Sequence, residues 1–125
     1  MRILLDTHIV YWSYYEVERL PAKANQLIHE AEMVFVSAAT IWEIAIKARL
    51  GKINASPKRL TDHIQKAGFH ELPVLAKHAV IVSDLPLHHT DPFDRLLVAQ
   101  AMSEPLHLLS SDTKLKPYSE LVILV

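Results

Sequence analysis

The 125-residue sequence contains no cysteine. This absence excludes thiol nucleophiles, zinc ribbons and disulfide frameworks, so any bound metal must take oxygen or imidazole ligands. It is also consistent with a reducing compartment. No uninterrupted apolar run approaches the ~20 residues of a membrane-spanning helix, and the first residues do not resemble a signal peptide. We therefore expect a cytoplasmic protein that has no membrane partner.

Glycine is almost as scarce, since Gly51 and Gly68 are the only two in the chain. The sequence also has no internal repeat and no linker rich in serine and glycine. Turns must therefore rely mainly on proline, asparagine, aspartate and serine. Together with a length typical of one domain, these features predict a single compact domain over residues 1–125.

The sequence also lacks a large excess of one charge sign. Lysine and arginine number 13 and aspartate and glutamate number 14, so the net charge is 13 − 14 = −1. The segment 47–66 differs, because it has six basic residues and only one acidic residue, Asp62. This segment is either a solvated helix face or a patch that binds phosphates, and the sequence leaves both interpretations open.

Short apolar runs alternate with segments of helical periodicity along the chain. The runs predict buried strands at Arg2–Leu5, Met33–Val36, Leu106–Leu109 and Leu121–Val125, with a weaker candidate around Phe69–Leu72. The intervening segments predict helices at Thr7–Tyr15, Ala22–Glu30, Ala38–Leu50, Pro57–Ala67, Leu75–Ser83 and Pro92–Ser103. Apolar strands separated by helices are typical of a parallel sheet covered on both faces. We therefore predict a three-layer α/β/α fold with a mainly parallel sheet of four to five strands.

Acidic residues fall where this fold gathers ligands, at the carboxyl ends of the strands. Asp6 ends the first strand and Asp112 follows the strand near Leu109. Glu43 lies in the helix after the second strand, beside Trp42 and Ile44, which we expect in the core, and Asp94 lies in the first turn of a later helix. These positions predict that the four carboxylates face one crevice.

Each carboxylate also has a structural interpretation. Asp91 fits an N-cap before Pro92, which would place Asp94 at the third helical position. Glu43 could pair with Lys47 one turn later, although an exposed pair of this kind contributes only ~0.3–0.5 kcal/mol. Asp6 and Asp112 could each cap a helical turn. Because all four positions map to one edge of the sheet, we favour a shared site.

Four carboxylates in one partly desolvated crevice would repel one another by several kcal/mol. A divalent cation with oxygen ligands, Mg²⁺ or Mn²⁺, is the simplest way to neutralise them. Such a cation lowers the pKa of bound water and stabilises charge on phosphoryl oxygens. The pattern therefore favours metal-dependent phosphate chemistry.

Four segments of the chain, in this order, resemble the PIN-domain nucleases, and in particular the VapC-type ribonuclease toxins of toxin–antitoxin pairs. They are Leu4-Leu5-Asp6-Thr7-His8, Ala39–Lys47, Asp91–Ala101 and Leu109-Ser110-Ser111-Asp112. Each segment alone is a weak signal. Their order, spacing and near-complete coverage of a chain of 125 residues make the resemblance specific.

The resemblance implies an endoribonuclease that depends on Mg²⁺ or Mn²⁺ and forms a PIN-like α/β fold. It implies that Asp6, Glu43, Asp94 and Asp112 are both the catalytic residues and the metal ligands. Thr7 and Ser110 match positions at which the family keeps a hydroxyl beside the site, with helix and turn capping as the alternative, and Asp91 is a supporting carboxylate. The family also implies a homodimer and a VapB-like antitoxin that covers the acidic site.

With an RNA substrate, basic residues near the crevice would hold phosphates. We expect this role for residues of the basic stretch and for one arginine of the later helix: Lys47, Arg49, Lys52, Arg59 and Arg95. For Arg95, an ion pair with Asp91 is the alternative.

Two further groups of side chains are assigned less specific roles. The aromatic side chains of the first helix, from Tyr11 to Tyr15, fit the core or a dimer interface better than a base-stacking surface. We expect His88 and His89 on a solvated or substrate-adjacent loop rather than on a metal.

Two other functions compete with the nuclease. A phosphatase of the haloacid-dehalogenase type also begins with an aspartate after a strand, but it requires a second aspartate at the position of His8. A non-catalytic RNA-binding or protein-interaction module could use the same scaffold. Four acidic residues that all map to one edge argue against that module, because an idle acidic cluster is destabilising.

Overall fold

The computed structural model describes residues 1–125 and contains one five-stranded sheet. Its strands are β1 (Arg2–Leu5), β2 (Met33–Ser37), β3 (His70–Leu72), β4 (His107–Ser110) and β5 (Val122–Leu124). They lie in the order β3-β2-β1-β4-β5, and every neighbouring pair is parallel. The predicted sheet is therefore confirmed, with each strand boundary within one residue of its prediction.

Six α-helices connect the strands. They are α1 (Thr7–Tyr15), α2 (Ala22–Glu30), α3 (Ala38–Arg49), α4 (Pro57–Lys66), α5 (Ala76–Asp84) and α6 (Pro92–Ser103). Two short 3₁₀ helices, Val17–Arg19 and Thr113–Tyr118, were not predicted. None of the helices combines the length and the apolar character that a membrane crossing requires.

The two faces of the sheet bury separate apolar clusters, because alternate residues of a strand point to opposite faces. In β1, Ile3 and Leu5 pack with residues of α1 to α4 on one face. Leu4 packs with Leu97 and other residues of α6 on the opposite face. The three-layer α/β/α prediction is therefore confirmed, with α1 to α4 in one outer layer and α6 in the other.

The strand order creates one topological switch point. From β1 the chain proceeds through β2 to β3 on one side of the sheet, and β4 and β5 lie on the other side of β1. In open parallel sheets, ligands bind outside the carboxyl ends of the strands at such a point. The carboxyl ends of β1 and β4 carry Asp6 and Ser110, so these two residues flank the expected crevice.

Both glycines end helices. Gly51 and Gly68 have φ angles of 73° and 78°, the left-handed region in which a Cβ atom is unfavourable. After α3, the Lys52 N–H donates to the Lys47 carbonyl and the Gly51 N–H donates to the Ala48 carbonyl, which is a Schellman motif. Gly51 therefore turns the chain into residues 52–56 beside α1.

A buried polar contact joins α5 to α6. The fully buried His78 accepts a hydrogen bond at Nδ1 from the Leu75 N–H, at 3.0 Å, so its proton is on Nε2. Nε2 then donates to Glu104 at 2.7 Å. The contact holds α5 in place, and α5 leads into the loop 85–91 that reaches the carboxyl edge.

We predict that replacing either glycine with alanine destabilises the fold by ~1 kcal/mol, because the backbone must keep its positive φ. No atom lies within 4 Å of a Cβ added at Gly51 or Gly68, so strain rather than a clash causes the loss. Urea unfolding measures the effect. Gly68→Asn is the matched control and should lose less, since asparagine tolerates this conformation. Alanine variants as stable as the wild type would contradict this account.

Candidate active site

Asp6 is the most buried acidic side chain, with 3% of its side chain exposed. Its Oδ1 atom accepts a hydrogen bond from the His8 N–H at 2.9 Å and so caps α1. Its Oδ2 atom accepts a hydrogen bond from the Ser110 hydroxyl at 2.5 Å. The capping interpretation and the site interpretation of Asp6 are therefore compatible, because they use different oxygens.

Ser110 links Asp6 to Asp112. While its hydroxyl donates to Asp6, the Ser110 Oγ atom accepts the Asp112 N–H at 3.0 Å. Asp112 Oδ1 caps the following 3₁₀ helix by accepting the Lys114 N–H at 3.0 Å. Asp112 repeats the arrangement of Asp6, with Oδ1 used for capping and Oδ2 directed elsewhere. The buried Ser110 hydroxyl thus lies beside the acidic site, where the sequence predicted it.

Asp91 and Asp94 occupy the predicted positions at the start of α6. The Asp91 side chain accepts the Asp94 N–H at 2.9 Å, so Asp91 is the N-cap and Asp94 is the third helical residue. This leaves the Asp94 carboxylate free for other partners. Its Oδ2 atom lies 3.2 Å from His89 Nε2.

His89 connects Asp94 with Asp112. Its Nε2 atom is also 2.8 Å from Asp112 Oδ2, and 12% of its side chain is exposed. His89, Asp94 and Asp112 form the one group of three or more histidine or acidic side chains whose ligand atoms all lie within 4.8 Å of one another. Of the two loop positions predicted for His89, solvated or substrate-adjacent, the structure contradicts the solvated one, because its Nε2 atom contacts two carboxylates of the proposed site.

The tautomer of His89 follows from its second nitrogen. The Asp91 N–H donates to His89 Nδ1 at 3.1 Å, and a nitrogen that accepts a hydrogen bond carries no proton. The proton is therefore on Nε2, which donates to the carboxylates. Metal-bound histidines instead donate their second ring N–H to an acceptor. In this arrangement His89 orients Asp94 and Asp112.

Tyr118 and Arg95 hold the loop that presents His89. The Tyr118 hydroxyl accepts the His88 and His89 N–H groups at 3.0 and 2.9 Å. Arg95 donates at 3.0 Å to the same hydroxyl and to the Pro86 carbonyl. It also donates to three further carbonyls, those of Val82, Leu85 and His89.

This arrangement contradicts the alternative interpretation of Arg95 as the partner of an ion pair. Its NH1 and NH2 groups make five hydrogen bonds to the 82–89 segment and Tyr118, and no ion pair with Asp91 forms. The sequence did not indicate this role, because the acceptors are mostly backbone carbonyls at the end of α5. Arg95 is therefore a loop support, and its contact with RNA phosphate stays a prediction.

Glu43 is 7% exposed and pairs with Lys47, whose Nζ atom lies 2.8 Å from Glu43 Oε2. Although burial would lower the pKa of Lys47, the hydrogen bond with Glu43 raises it above 10.5. The pair occupies only one oxygen, and the buried Glu43 Oε1 atom has no hydrogen-bond partner. Trp42, expected in the core, is 63% exposed instead, and its ring packs edge-on against Phe93.

The electrostatics of the cluster act most strongly on Asp94. Burial, followed by repulsion from Asp6, Asp91 and Glu43, raises the pKa of Asp94 from 3.8 to about 7. For Asp112, burial alone would raise the pKa, but the Lys114 N–H and His89 hold it below 3.8. The negative charges of Asp6 and Glu43 thus act on Asp94. Neither residue belongs to the close group that His89, Asp94 and Asp112 form.

The Thr7 hydroxyl contacts another hydroxyl rather than a carboxylate of the site. It lies 3.1 Å from the Thr40 hydroxyl in a buried contact between α1 and α3. Thr7 therefore supports the packing beside Asp6 rather than a carboxylate directly.

The basic stretch is divided between two surfaces. Lys47 and Lys52 line a groove that begins at Thr7 and His8, next to Asp6. Arg59 instead lines a different hollow beside Tyr14. Arg49 is exposed at the end of α3.

The donor set fits a hard divalent cation. Mg²⁺ and Mn²⁺ prefer carboxylate oxygens, and these are the groups gathered here. The orphaned Glu43 Oε1 and the raised pKa of Asp94 both indicate negative charge that the protein's own cations do not neutralise. Asp6, Glu43, Asp94 and Asp112 could therefore hold such an ion.

Comparison with known proteins identifies the family. Residues 3–121 match the model of the PIN domain. The chain is also 32% identical over 123 residues to ribonuclease VapC22 of Mycobacterium tuberculosis (strain ATCC 25618 / H37Rv), an alignment that covers 93% of this chain and 91% of that protein.

Solved structures show the same fold at lower identity. VapBC2 from Rickettsia felis, bound to a DNA fragment from its promoter, superposes with a TM-score of 0.74 at 16% identity, over 100% of this chain and 98% of that one. FitAcB from Neisseria gonorrhoeae superposes with a TM-score of 0.69 at 18% identity, over 100% and 97% of the two chains. Taken with the family match over residues 3–121, this shows that the chain belongs to the PIN domain family.

Proposed function

We propose that this protein is a metal-dependent endoribonuclease and the toxin of a toxin–antitoxin pair. The observation that carries the proposal is the meeting of Asp94 and Asp112 at His89, whose Nε2 atom lies 3.2 and 2.8 Å from their Oδ2 atoms at the carboxyl edge of the sheet. The raised pKa of Asp94, to which the charges of Asp6, Asp91 and Glu43 contribute, supports it. The 32% identity to ribonuclease VapC22 over nearly the whole chain supports the choice of RNA as the substrate class.

We further propose that Mg²⁺ or Mn²⁺ is the cofactor, held by Asp6, Glu43, Asp94 and Asp112. Such an ion supplies an activated water and neutralises charge on the phosphoryl oxygens. The oxygen-rich donor set supports this assignment, as does the unpartnered Glu43 Oε1.

The residues around the carboxylates keep them oriented. Ser110 and the His8 N–H hold the two oxygens of Asp6, at 2.5 and 2.9 Å. Lys47 holds Glu43 Oε2 and leaves Oε1 free, while His89 donates toward Asp94 and Asp112. Pre-oriented groups of this kind need no reorganisation when the phosphodiester enters, which is the main requirement for electrostatic catalysis.

The substrate strand is proposed to approach across the basic residues near the crevice. Lys52 and Arg49 are exposed at the end of α3 and in the segment after it. Lys47 lies at the boundary of the acidic cluster and is 36% exposed. Phosphate contacts by these residues would make RNA binding salt-dependent.

We also propose the localisation, the assembly and the inhibitor of this protein. We propose a cytoplasmic homodimer built from a single PIN domain over residues 1–125, which a VapB-like antitoxin inhibits. The family match over residues 3–121 and the fold shared with VapBC2 support this assignment.

We predict that Glu43→Gln reduces RNA cleavage at least ~100-fold while the fold and RNA affinity are retained, because the isosteric amide removes a charged oxygen from the site. Cleavage of single-stranded RNA in Mg²⁺ or Mn²⁺ measures the activity. Circular dichroism measures the fold, and filter binding measures the RNA affinity. Glu120→Gln, at an exposed position, is the matched control. Wild-type cleavage by Glu43→Gln would make Glu43 structural and leave catalysis to other residues.

We predict that Mg²⁺ or Mn²⁺ raises the melting temperature of the wild-type protein, since an ion that binds only the folded state stabilises it. Asp94→Asn should abolish this rise and should itself raise the melting temperature of the metal-free protein near pH 8, because a repelled charge is removed. Asp84→Asn, at an exposed position, is the control. Equal shifts on adding metal to all three proteins would disprove the metal site.

A further inference from the structure

We infer that a groove beside the acidic cluster binds one nucleobase of the RNA strand, next to the phosphate that is cut. This inference rests on the proposed function and names a subsite for it. The groove has a volume of about 380 Å³ and lies between α1, α3 and residues 52–54. That volume is within the ~300–1,000 Å³ of typical small-ligand sites.

The groove opens directly onto the proposed catalytic residues. At one end it is lined by His8 and Lys47. His8 Nδ1 lies 3.8 Å from Asp6 Oδ1, and Lys47 Nζ lies 2.8 Å from Glu43 Oε2. A nucleotide whose phosphate lies at the carboxylates would therefore direct its base into this groove.

The groove wall offers flat surfaces for stacking. Trp12 is half-buried, because part of its ring packs against the core while the ring also lines the groove. The His8 ring centre lies 5.7 Å from that of Trp12. The Arg19 guanidinium lies 5.2 Å from the Trp12 ring centre on a side chain that is 60% exposed. Aromatic rings and arginine planes are the surfaces on which proteins stack unpaired RNA bases.

The opposite rim supplies polar contacts. Lys52 and Asn54 are exposed and line the groove. An asparagine amide can hydrogen-bond to a base edge, and a lysine can contact the adjoining phosphate. The Schellman turn at Gly51 directs both residues toward α1.

A single-stranded nucleotide fits this combination better than a peptide does. The groove combines an indole, an imidazole and a guanidinium with one amide and two lysines, and it adjoins a site for phosphate chemistry. Its one carboxylate, Glu16, is paired with Arg19 at 3.0 Å, so its charge is compensated within the groove. A second hollow, lined by Arg59 and Tyr14, includes none of the proposed catalytic carboxylates, so we do not extend the inference to it.

The test compares nucleoside 5′-monophosphates with ribose 5-phosphate, which has the same charged group but no base. Titrations of the wild-type protein in Mg²⁺ are followed through the indole N–H signals of Trp12 and Trp42 by NMR. We expect the nucleotides to bind at least ~10-fold more tightly than ribose 5-phosphate, and to shift the Trp12 signal but not that of Trp42, which lies outside the groove. Equal binding of the two probes, or a shift at Trp42 alone, would overturn the inference.

Variants locate the base independently. Trp12→Leu keeps an apolar side chain against the core but removes the aromatic face, so nucleotide binding should weaken about 10-fold, whereas Trp42→Leu should leave it unchanged. If Trp12→Leu does not fold, Arg19→Ala and Asn54→Ala at the exposed rim provide the same comparison. Unchanged nucleotide affinity in the folded groove variants would overturn the inference. The groove would then not bind a base, and a peptide would be the alternative occupant.

The outcome is separable from that of the proposed function. Nucleotide binding at Trp12 without any RNA cleavage would contradict the nuclease and leave the base subsite standing. RNA cleavage by a protein that binds nucleotides and ribose 5-phosphate equally would support the nuclease and overturn the subsite alone.

Discussion

Mutual repulsion among buried carboxylates is the constraint on which the site depends. Burial and then repulsion from Asp6, Asp91 and Glu43 act on Asp94, so that its pKa rises to about 7. The fold tolerates this cost because several oxygens have donors: Ser110 for Asp6, Lys47 for Glu43 and His89 for Asp112. Two features remain uncompensated: the negative charge of Asp94, which its raised pKa reflects, and the Glu43 Oε1 atom, which has no hydrogen-bond donor. Such concentrated negative charge favours a divalent cation and, through it, phosphate chemistry.

The fold could be predicted because local signals and global topology agree. The run Ile3 to Leu5 is apolar on both faces, which a strand covered by helices requires, and Asp91 with Pro92 marks the start of α6 to the residue. The positions of the acidic residues followed from the same reasoning, because parallel strands end at one edge of the sheet. The structure adds that capping and site roles coexist in Asp6 and Asp112, since each carboxylate uses Oδ1 for the helix and Oδ2 for the site.

The rest of the site depends on contacts between distant segments, which a single sequence does not reveal. His89 reaches Asp112 only because Tyr118 and Arg95 hold its loop, and Arg95 does so mainly through backbone carbonyls that have no sequence signature. Trp12 gave an ambiguous signal, because the same ring packs against the core and lines the groove. Sequence periodicity identifies a buried face, but it cannot show which edge of a half-buried ring remains open.

Below pH 7 Asp94 holds a proton in the metal-free protein, and the proposed divalent cation would displace it. Calorimetric titration of Mn²⁺ in buffers of different ionisation enthalpy measures this exchange. Because the pKa of Asp94 is about 7, binding at pH 6 should release close to one proton per ion, and binding at pH 8 should release far less. Asp94→Asn should release none at either pH. Binding without proton release at pH 6 in the wild type would contradict the account, as would a release that Asp94→Asn leaves unchanged.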